Sequence, residues 1–297
     1  MKVGFIGLGV MGKPMSKNLI KAGYELIVLD KNKYASELIA AGAASASTPK
    51  AVAEWADVVI TMLPDSHQVR EAIIGPDGIM EGAKPGTVVI DMSSIAPLVS
   101  QEVATKLAEK GIDMLDAPVS GGEPKAIEGT LSVMAGGKKD VFNRCYPVMK
   151  AMAASVVLTG DIGAGNVTKL ANQIIVAINI AAMSEAFVLA SKAGVEPELV
   201  YQAIRGGLAG STVLDAKAYM IMDRKFDPGF RINLHIKDLS NVLETSREVG
   251  VSLPLTAAVI EMMQALKADG MGDDDHSSLI RYYEKMANTE VKRSGNI

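Results

Sequence analysis

Residues 2–12, KVGFIGLGVMG, join an apolar run to three glycines in the pattern G-x-G-x-x-G. The run reads as a strand, and the residues after it, within VMGKPMSKNLIKAG, have the apolar spacing of a helix. Strand, glycines and helix in that order form the context in which the motif holds a dinucleotide. Gly7 makes the tight turn, Gly9 lets the backbone approach a pyrophosphate, and Gly12 lets the helix pack close to the strand. Leu8, Val10 and Met11 fill the positions between, and the helix N-terminus faces the anion. A plain glycine-rich turn is the competing reading, and the next feature weighs against it. Asp30 closes the following apolar run, ELIVLD, where a carboxylate accepts from a ribose diol and repels a 2′-phosphate. This favours NAD over NADP, while Lys31 beside it leaves NADP possible.

The rest of the chain divides into two patterns. Up to about Thr159, the apolar runs DVVITML, TVVIDM and IDMLDAPV alternate with helical stretches such as LVSQEVATKLAEKG. Near-continuous apolar runs are expected of parallel strands covered on both faces. The rhythm predicts a doubly wound α/β domain of the Rossmann type over residues 1–162. After that the strands give way to helical patterns, which predict an all-α domain over residues 163–297. Its first segment, GNVTKLANQIIVAINIAAMSEAFVLASKAG, reads as one helix of about 28 residues, or about 42 Å. Asn172, Gln173, Asn179 and Glu185 within its apolar stretch argue for a helix buried in protein rather than a membrane span. A cleft is expected where the two halves meet.

Four further stretches carry candidate chemistry. TMLPD and DMSSIAP close two strands, so Leu63, Pro64 and Ser94 stand where an α/β fold presents its ligand crevice. Each also reads as a simple turn or helix cap. In DAPVSGGEPKA, the small residues Ser120, Gly121 and Gly122 free a set of N–H groups to converge on a carboxylate, unless they form a plain β-turn. Lys169 and Asn172 stand at i and i+3 near the start of the long helix and share a face. In a closed cleft such a lysine donates a proton to a carbonyl oxygen as hydride arrives, while the asparagine holds a hydroxyl or carboxylate. A solvated first-turn lysine fits the spacing equally well. His235 and Lys237 in INLHIKDL read as a solvated helix surface. His235 and His276 lack partners at metal-ligand spacing, so no metal site is expected. Asp273, Asp274 and Asp275 read as a helix N-terminal charge cluster.

The composition excludes other classes. A net charge of −4 and the absence of a dense basic cluster speak against nucleic acid. With 48% hydrophobic residues and a lone cysteine, Cys145, the chain fits a soluble, cytoplasmic protein.

Taken together, FIGLGVMGKPMSKNL, DAPVSGG, GNVTKLANQ and KDL, in that order across nearly the whole chain, resemble the 3-hydroxyisobutyrate dehydrogenase (β-hydroxyacid dehydrogenase) family. SGGEPKAI, RGGLAGSTVLDAKA and HIKDL resemble its tartronate semialdehyde reductase branch. The family often has Ser-Thr where this chain has Ser93-Ser94, and the hydroxyl is kept. The resemblance implies an NADH-dependent reduction of a small carboxylate semialdehyde, tartronate semialdehyde to glycerate, or the same chemistry on 3-hydroxyisobutyrate or another 3-hydroxy acid. It implies that Lys169 is the catalytic lysine and Asn172 its substrate-binding neighbour. Ser120, Gly121 and Gly122 are implied at the substrate carboxylate, and Leu63, Pro64, Ser94 and Lys237 at the cofactor. It also implies a homodimer or homotetramer built through the long helix.

Overall fold

The unbroken apolar runs form strands because a sheet covered on both faces leaves no side for polar residues. In the computed structural model, which describes residues 1–29 and 34–293, these strands lie in one of two units, Met1–Lys169 and Leu170–Ile297. The strands among the described residues are β1 (Lys2–Ile6), β2 (Glu25–Leu29), β3 (Ala44–Ala46), β4 (Val58–Thr61), β5 (Val88–Asp91), β6 (Asp113–Asp116), β7 (Val119–Ser120), β8 (Leu131–Gly136) and β9 (Ala153–Gly160). They form one sheet in the order β3-β2-β1-β4-β5-β6-β8-β7, with β9 beside β8. From β3 to β6 every pairing is parallel. The order reverses at β1, which lies between β2 and β4, and such a switch point opens a crevice at the strands' carboxyl ends.

Side chains alternate between two cores. Val3, Phe5, Ile60 and Ile90 pack on one face with Met15 and Leu19 of the helix Gly12–Lys21 and Val141 and Val148 of the helix Lys139–Lys150. Ile6, Val59 and Val89 face the other way, onto Val69 and Ile73 of the helix Ser66–Ile74 and Val99 and Val103 of the helix Pro97–Ala108. Each such fully buried aliphatic side chain contributes about 1.5–3 kcal/mol.

The sheet adds β3, β8 and β9 to the runs expected as strands, and it departs from the expectation at β6. IDMLDAPV reads as a single parallel strand, but the ladder stops at Asp116 and resumes at Val119. Pro118 lacks an N–H and cannot continue the ladder. Val119 and Ser120 then pair antiparallel with β8, which also runs antiparallel to β6.

The long helix, Ala164–Lys192, continues from the first unit into the second. Its Ala177, Ile180 and Phe187 pack with Ala218, Ile221, Leu239, Met263 and Ile280 in a helical core. Among the described residues it is the one helix long and apolar enough to cross a membrane, yet it serves here as a core helix with an uncovered flank. On that flank Ile175 is 61% exposed and Leu189 72%.

A buried carboxylate organises the other end of this unit. Asp275 is wholly buried and caps the 3-10 turn His276–Leu279 by accepting from the Ser277 N–H. It also accepts from the N–H groups of Gly229 and Phe230 and pairs with Lys217 at 2.9 Å. The acidic run 273–275 is therefore split in role, since Asp273 and Asp274 pair with Arg231 and Arg281 at the surface. Burial opposes ionisation of Asp275, but His276, Lys217 and the Ser277 N–H outweigh it and hold its carboxyl down to about 2. A depressed pKa stabilises the fold above the ordinary carboxylate range, and that stability is lost as pH falls toward the folded value. Asp275→Ala is expected to cost about 3–5 kcal/mol in urea unfolding at pH 7, because it strands Lys217 and three N–H groups. The deficit relative to the parent should shrink as pH falls from 4 toward about 2; a deficit independent of pH would show that the charge is not what stabilises.

Candidate active site

The glycine turn is shaped by close approaches. Gly7 has φ of +104°, and a Cβ there would press on the Met62 carbonyl group and lie 3.2 Å from Leu63 Cδ2. A Cβ on Gly12 would meet the Gly7 carbonyl oxygen and stand 3.0 Å from the Phe5 ring. Gly9 has nothing within 4 Å of a Cβ, so the turn is packed at its two ends and open in the middle. Leu8 is buried beneath it, and Val10 is exposed. Met11, at the cap position of the helix Gly12–Lys21, gives no side-chain acceptor to the first-turn N–H groups. Such a turn suits an anion, since unpaired N–H groups and the positive end of the helix dipole point the same way. Asp30, the residue expected at the ribose, lies outside the described residues.

Beside this turn the ends of β4, β5 and β6 carry Thr61, Asp91 and Asp116 in register. Thr61 Oγ1 donates to Asp91 Oδ1 at 2.8 Å, and the Ser93 N–H donates to the same oxygen at 3.2 Å. Ser93 Oγ in turn accepts from the Leu63 N–H at 2.9 Å. The buried Ser93 therefore holds the loop that carries Leu63 and Pro64, while Ser94 is half-buried next to it. The Ser120 turn follows β7, and Gly121 and Gly122 both take positive φ, +137° and +69°. A Cβ on Gly121 would come within 2.8 Å of the Lys125 side chain, so the turn is closed to larger residues.

Asp116 ends its strand against the start of the long helix. Its Oδ1 accepts from the Gly163 N–H and its Oδ2 from the Asn166 N–H, both at 2.7 Å. The Asn166 side chain accepts from the Ile95 N–H and donates to Ser100 Oγ. Burial pushes the Asp116 carboxyl up to about 6, Asp91 adds to the rise, and the two N–H bonds oppose it. A raised pKa means that Asp116 favours the fold at acid pH and loses that favour as pH rises through about 6. At neutral pH the protein thus keeps an ionised buried carboxylate at a cost in stability. Lys169, one turn beyond Asn166, is 8% exposed.

Beyond Lys169 the same helix enters a second polar chain. Asn172 Nδ2 donates to Gln173 Oε1 at 2.9 Å, and Gln173 Nε2 donates to Asp238 Oδ2 at 2.6 Å. Lys237 Nζ lies 2.9 Å from Asp238 Oδ1. His235 was expected on a solvated surface, but it is wholly buried. Its Nε2 lies 3.5 Å from the Gln173 carbonyl oxygen and its Nδ1 lies 3.0 Å from His276 Nδ1. Its helix turns that face onto the core, with Ile232, Ile236 and Leu239.

Residues 2–160 match the family profile of the NAD binding domain of 6-phosphogluconate dehydrogenase, and residues 163–283 match that of NADP-dependent 3-hydroxyisobutyrate dehydrogenase. The chain is 44% identical to the 2-hydroxy-3-oxopropionate reductase of Escherichia coli K12, over 98% of this chain and all of that protein. It belongs to the 3-hydroxyisobutyrate dehydrogenase family. A second relative is the 2-(hydroxymethyl)glutarate dehydrogenase of Eubacterium barkeri, 38% identical over 98% of this chain and 97% of that one. In structure, the chain is similar to the Mycobacterium tuberculosis 3-hydroxyisobutyrate dehydrogenase solved with L-serine. That match has a TM-score of 0.88 and 32% identity, and covers 95% of this chain and 98% of that one.

A member of the 3-hydroxyisobutyrate dehydrogenase family is an NAD(P)-dependent oxidoreductase acting on a CH–OH group, and the glycine turn here fits that dinucleotide. Of the polar groups that set the local geometry, the sequence reading does not single out Asp116, Asn166 or Asp238, and it takes Gln173 only as a sign that the long helix is buried in protein. Asp116 stood inside the DAPVSGG stretch, and a carboxylate in so apolar a run is the signal that marks it.

Proposed function

We propose that this enzyme reduces tartronate semialdehyde to glycerate with NADH, reversibly. The observation that carries the reading is the 44% identity, across both full chains, to a 2-hydroxy-3-oxopropionate reductase. The stretches SGGEPKAI and HIKDL support it. The division of labour follows residues 1–162 for the dinucleotide and 163–297 for substrate and assembly. Gly7, Leu8, Gly9, Val10, Met11 and Gly12 hold the pyrophosphate, and Asp30 takes the ribose diol. Leu63, Pro64 and Ser94 line the cofactor, and Lys237 lies near it.

When bound, NADH supplies the hydride to the aldehyde carbon. The N–H groups of Ser120, Gly121 and Gly122 hold the substrate carboxylate, the positive φ of the two glycines turning successive amides toward an anion. Asn172, whose amide is oriented by Gln173, holds the substrate hydroxyl. Lys169 gives its proton to the carbonyl oxygen as that oxygen gains charge, and takes it back in the oxidative direction. The enzyme works in the cytoplasm as a homodimer or homotetramer that covers Ile175 and Leu189 of the long helix.

Three measurements test this reading. Lys169→Ala should lose about 10²–10⁴-fold in kcat, the usual worth of general acid–base catalysis, with little change in cofactor affinity. Lys169→Arg should rescue little, because a guanidinium does not release a proton near neutral pH; near-parental kcat in that variant would reduce the lysine to a binding role. Initial rates with tartronate semialdehyde, 3-hydroxyisobutyrate, 2-(hydroxymethyl)glutarate and L-serine, each with both cofactors, should show the highest kcat/KM for tartronate semialdehyde and NADH. A higher value for another substrate would reassign it, and equal rates with NADPH would remove the role given to Asp30. Light scattering at micromolar concentration should give a mass at least twice the 31.2 kDa of one chain, and a monomer mass would refute the assembly.

A further inference from the structure

The join between β6 and the long helix is built more carefully than a helix start requires. Both oxygens of Asp116 are used, one on the Gly163 N–H and one on the Asn166 N–H. Three glycines wall the carboxylate. A Cβ on Gly165 would strike the carbonyl oxygens of Asp116 and Met134, a Cβ on Gly136 would strike Asp116 Oδ1 itself, and Gly163 takes a positive φ of +94°. Asn166, the next side chain in, is fixed by Ile95 and Ser100.

An ordinary Ser or Thr cap satisfies one N–H from one hydroxyl and is cheap to bury. A carboxylate satisfies two N–H groups in fixed directions and places a full negative charge at the positive end of the helix. It therefore fixes the rotation of the first turn as well as its existence. Asn166 and Lys169 stand at i and i+3, so the rotation that Asp116 sets at Asn166 also sets the direction in which Lys169 leaves the helix.

We infer that Asp116 is a positioning residue, whose ionised carboxylate locks the first turn of the long helix and so aims Lys169 at the substrate oxygen. The inference rests on the reading of Lys169 as the proton donor. From β5 the titratable group facing Asp116 is Asp91; β8 presents Gly136, and the helix start presents Gly163, Gly165 and Asn166, none of which titrates. Protonating Asp116 turns one acceptor into a donor and releases one of the two N–H groups. The lock should therefore open on the acid side of neutrality. In the reductive direction Lys169 itself gains from acid, so an acidic loss of rate there does not come from the lysine.

The test is Asp116→Asn, which keeps shape and removes charge but points an NH₂ at a backbone N–H. Its kcat should fall about 10²-fold, the cost of a misplacement of roughly 1 Å, with KM for NADH unchanged. Its kcat–pH profile should be flat where the parent enzyme falls below about 6. In a Lys169→Ala background, Asp116→Asn should cost nothing further, because two residues acting as a unit are not additive. Hydrogen exchange should be faster at Gly163 and Asn166 in the variant. A loss that persists in full in the Lys169→Ala background, or a variant that is less stable but keeps its kcat, would overturn the inference. Undiminished kcat in Lys169→Ala alone would instead overturn the reading of the lysine, so the two failures are distinct. If Asp116→Asn does not fold, the parent enzyme carries the test: kcat and exchange protection at Gly163 and Asn166 must fall together below about 6, and independence of the two overturns the proposal.

Discussion

The bond that the first unit depends on is a carboxylate shared between two backbone N–H groups. A parallel sheet delivers its strands' carboxyl ends to one edge, and the chain must leave that edge in a defined direction to be of use. At β6 the direction is set by Asp116, which meets the helix start at Gly163 and Asn166. At β5 the same task falls to Asp91, which gathers Thr61 and the Ser93 N–H. Two acidic residues side by side in a covered sheet repel each other, and burial denies both the water that a carboxylate favours. The protein tolerates this because each is surrounded by donors whose positions would otherwise be loose.

Glycine does the complementary work. Gly7 and Gly12 let backbone touch backbone where the dinucleotide turn closes, and Gly136 and Gly165 do so around Asp116. In all four places a methyl group would collide with main-chain or carboxylate atoms, which have nowhere to go. At these places the first unit is thus shaped by what its residues lack.

Much of this was legible in the sequence. The G-x-G-x-x-G turn, the doubly wound rhythm and the single long helix follow from spacing and period, which depend on neighbours along the chain. The antiparallel β7 and β8 were not legible, because a two-residue strand has no period and its pairing partner lies across the sheet. His235 was misplaced for a similar reason. One polar residue in an amphipathic helix reads as surface, unless a partner such as His276, distant in sequence, is known to meet it. The roles of Ser93 and Gln173 are of the same kind, set by the Leu63 N–H and by Asp238. What sequence does not carry is the hydrogen bond between residues far apart in the chain.

The two buried histidines have a consequence of their own. Contact between two Nδ1 atoms, 3.0 Å apart, needs a hydrogen on one of them and a lone pair on the other. The Gln173 carbonyl oxygen facing His235 Nε2 asks for the hydrogen to be there, which leaves His235 Nδ1 as the acceptor and His276 Nδ1 as the donor. The tautomer of each ring is thereby fixed by the other. Two rings locked in this way hold the helix Ile232–Glu248 and the 3-10 turn His276–Leu279 in one register, since turning either ring over would set donor against donor or acceptor against acceptor.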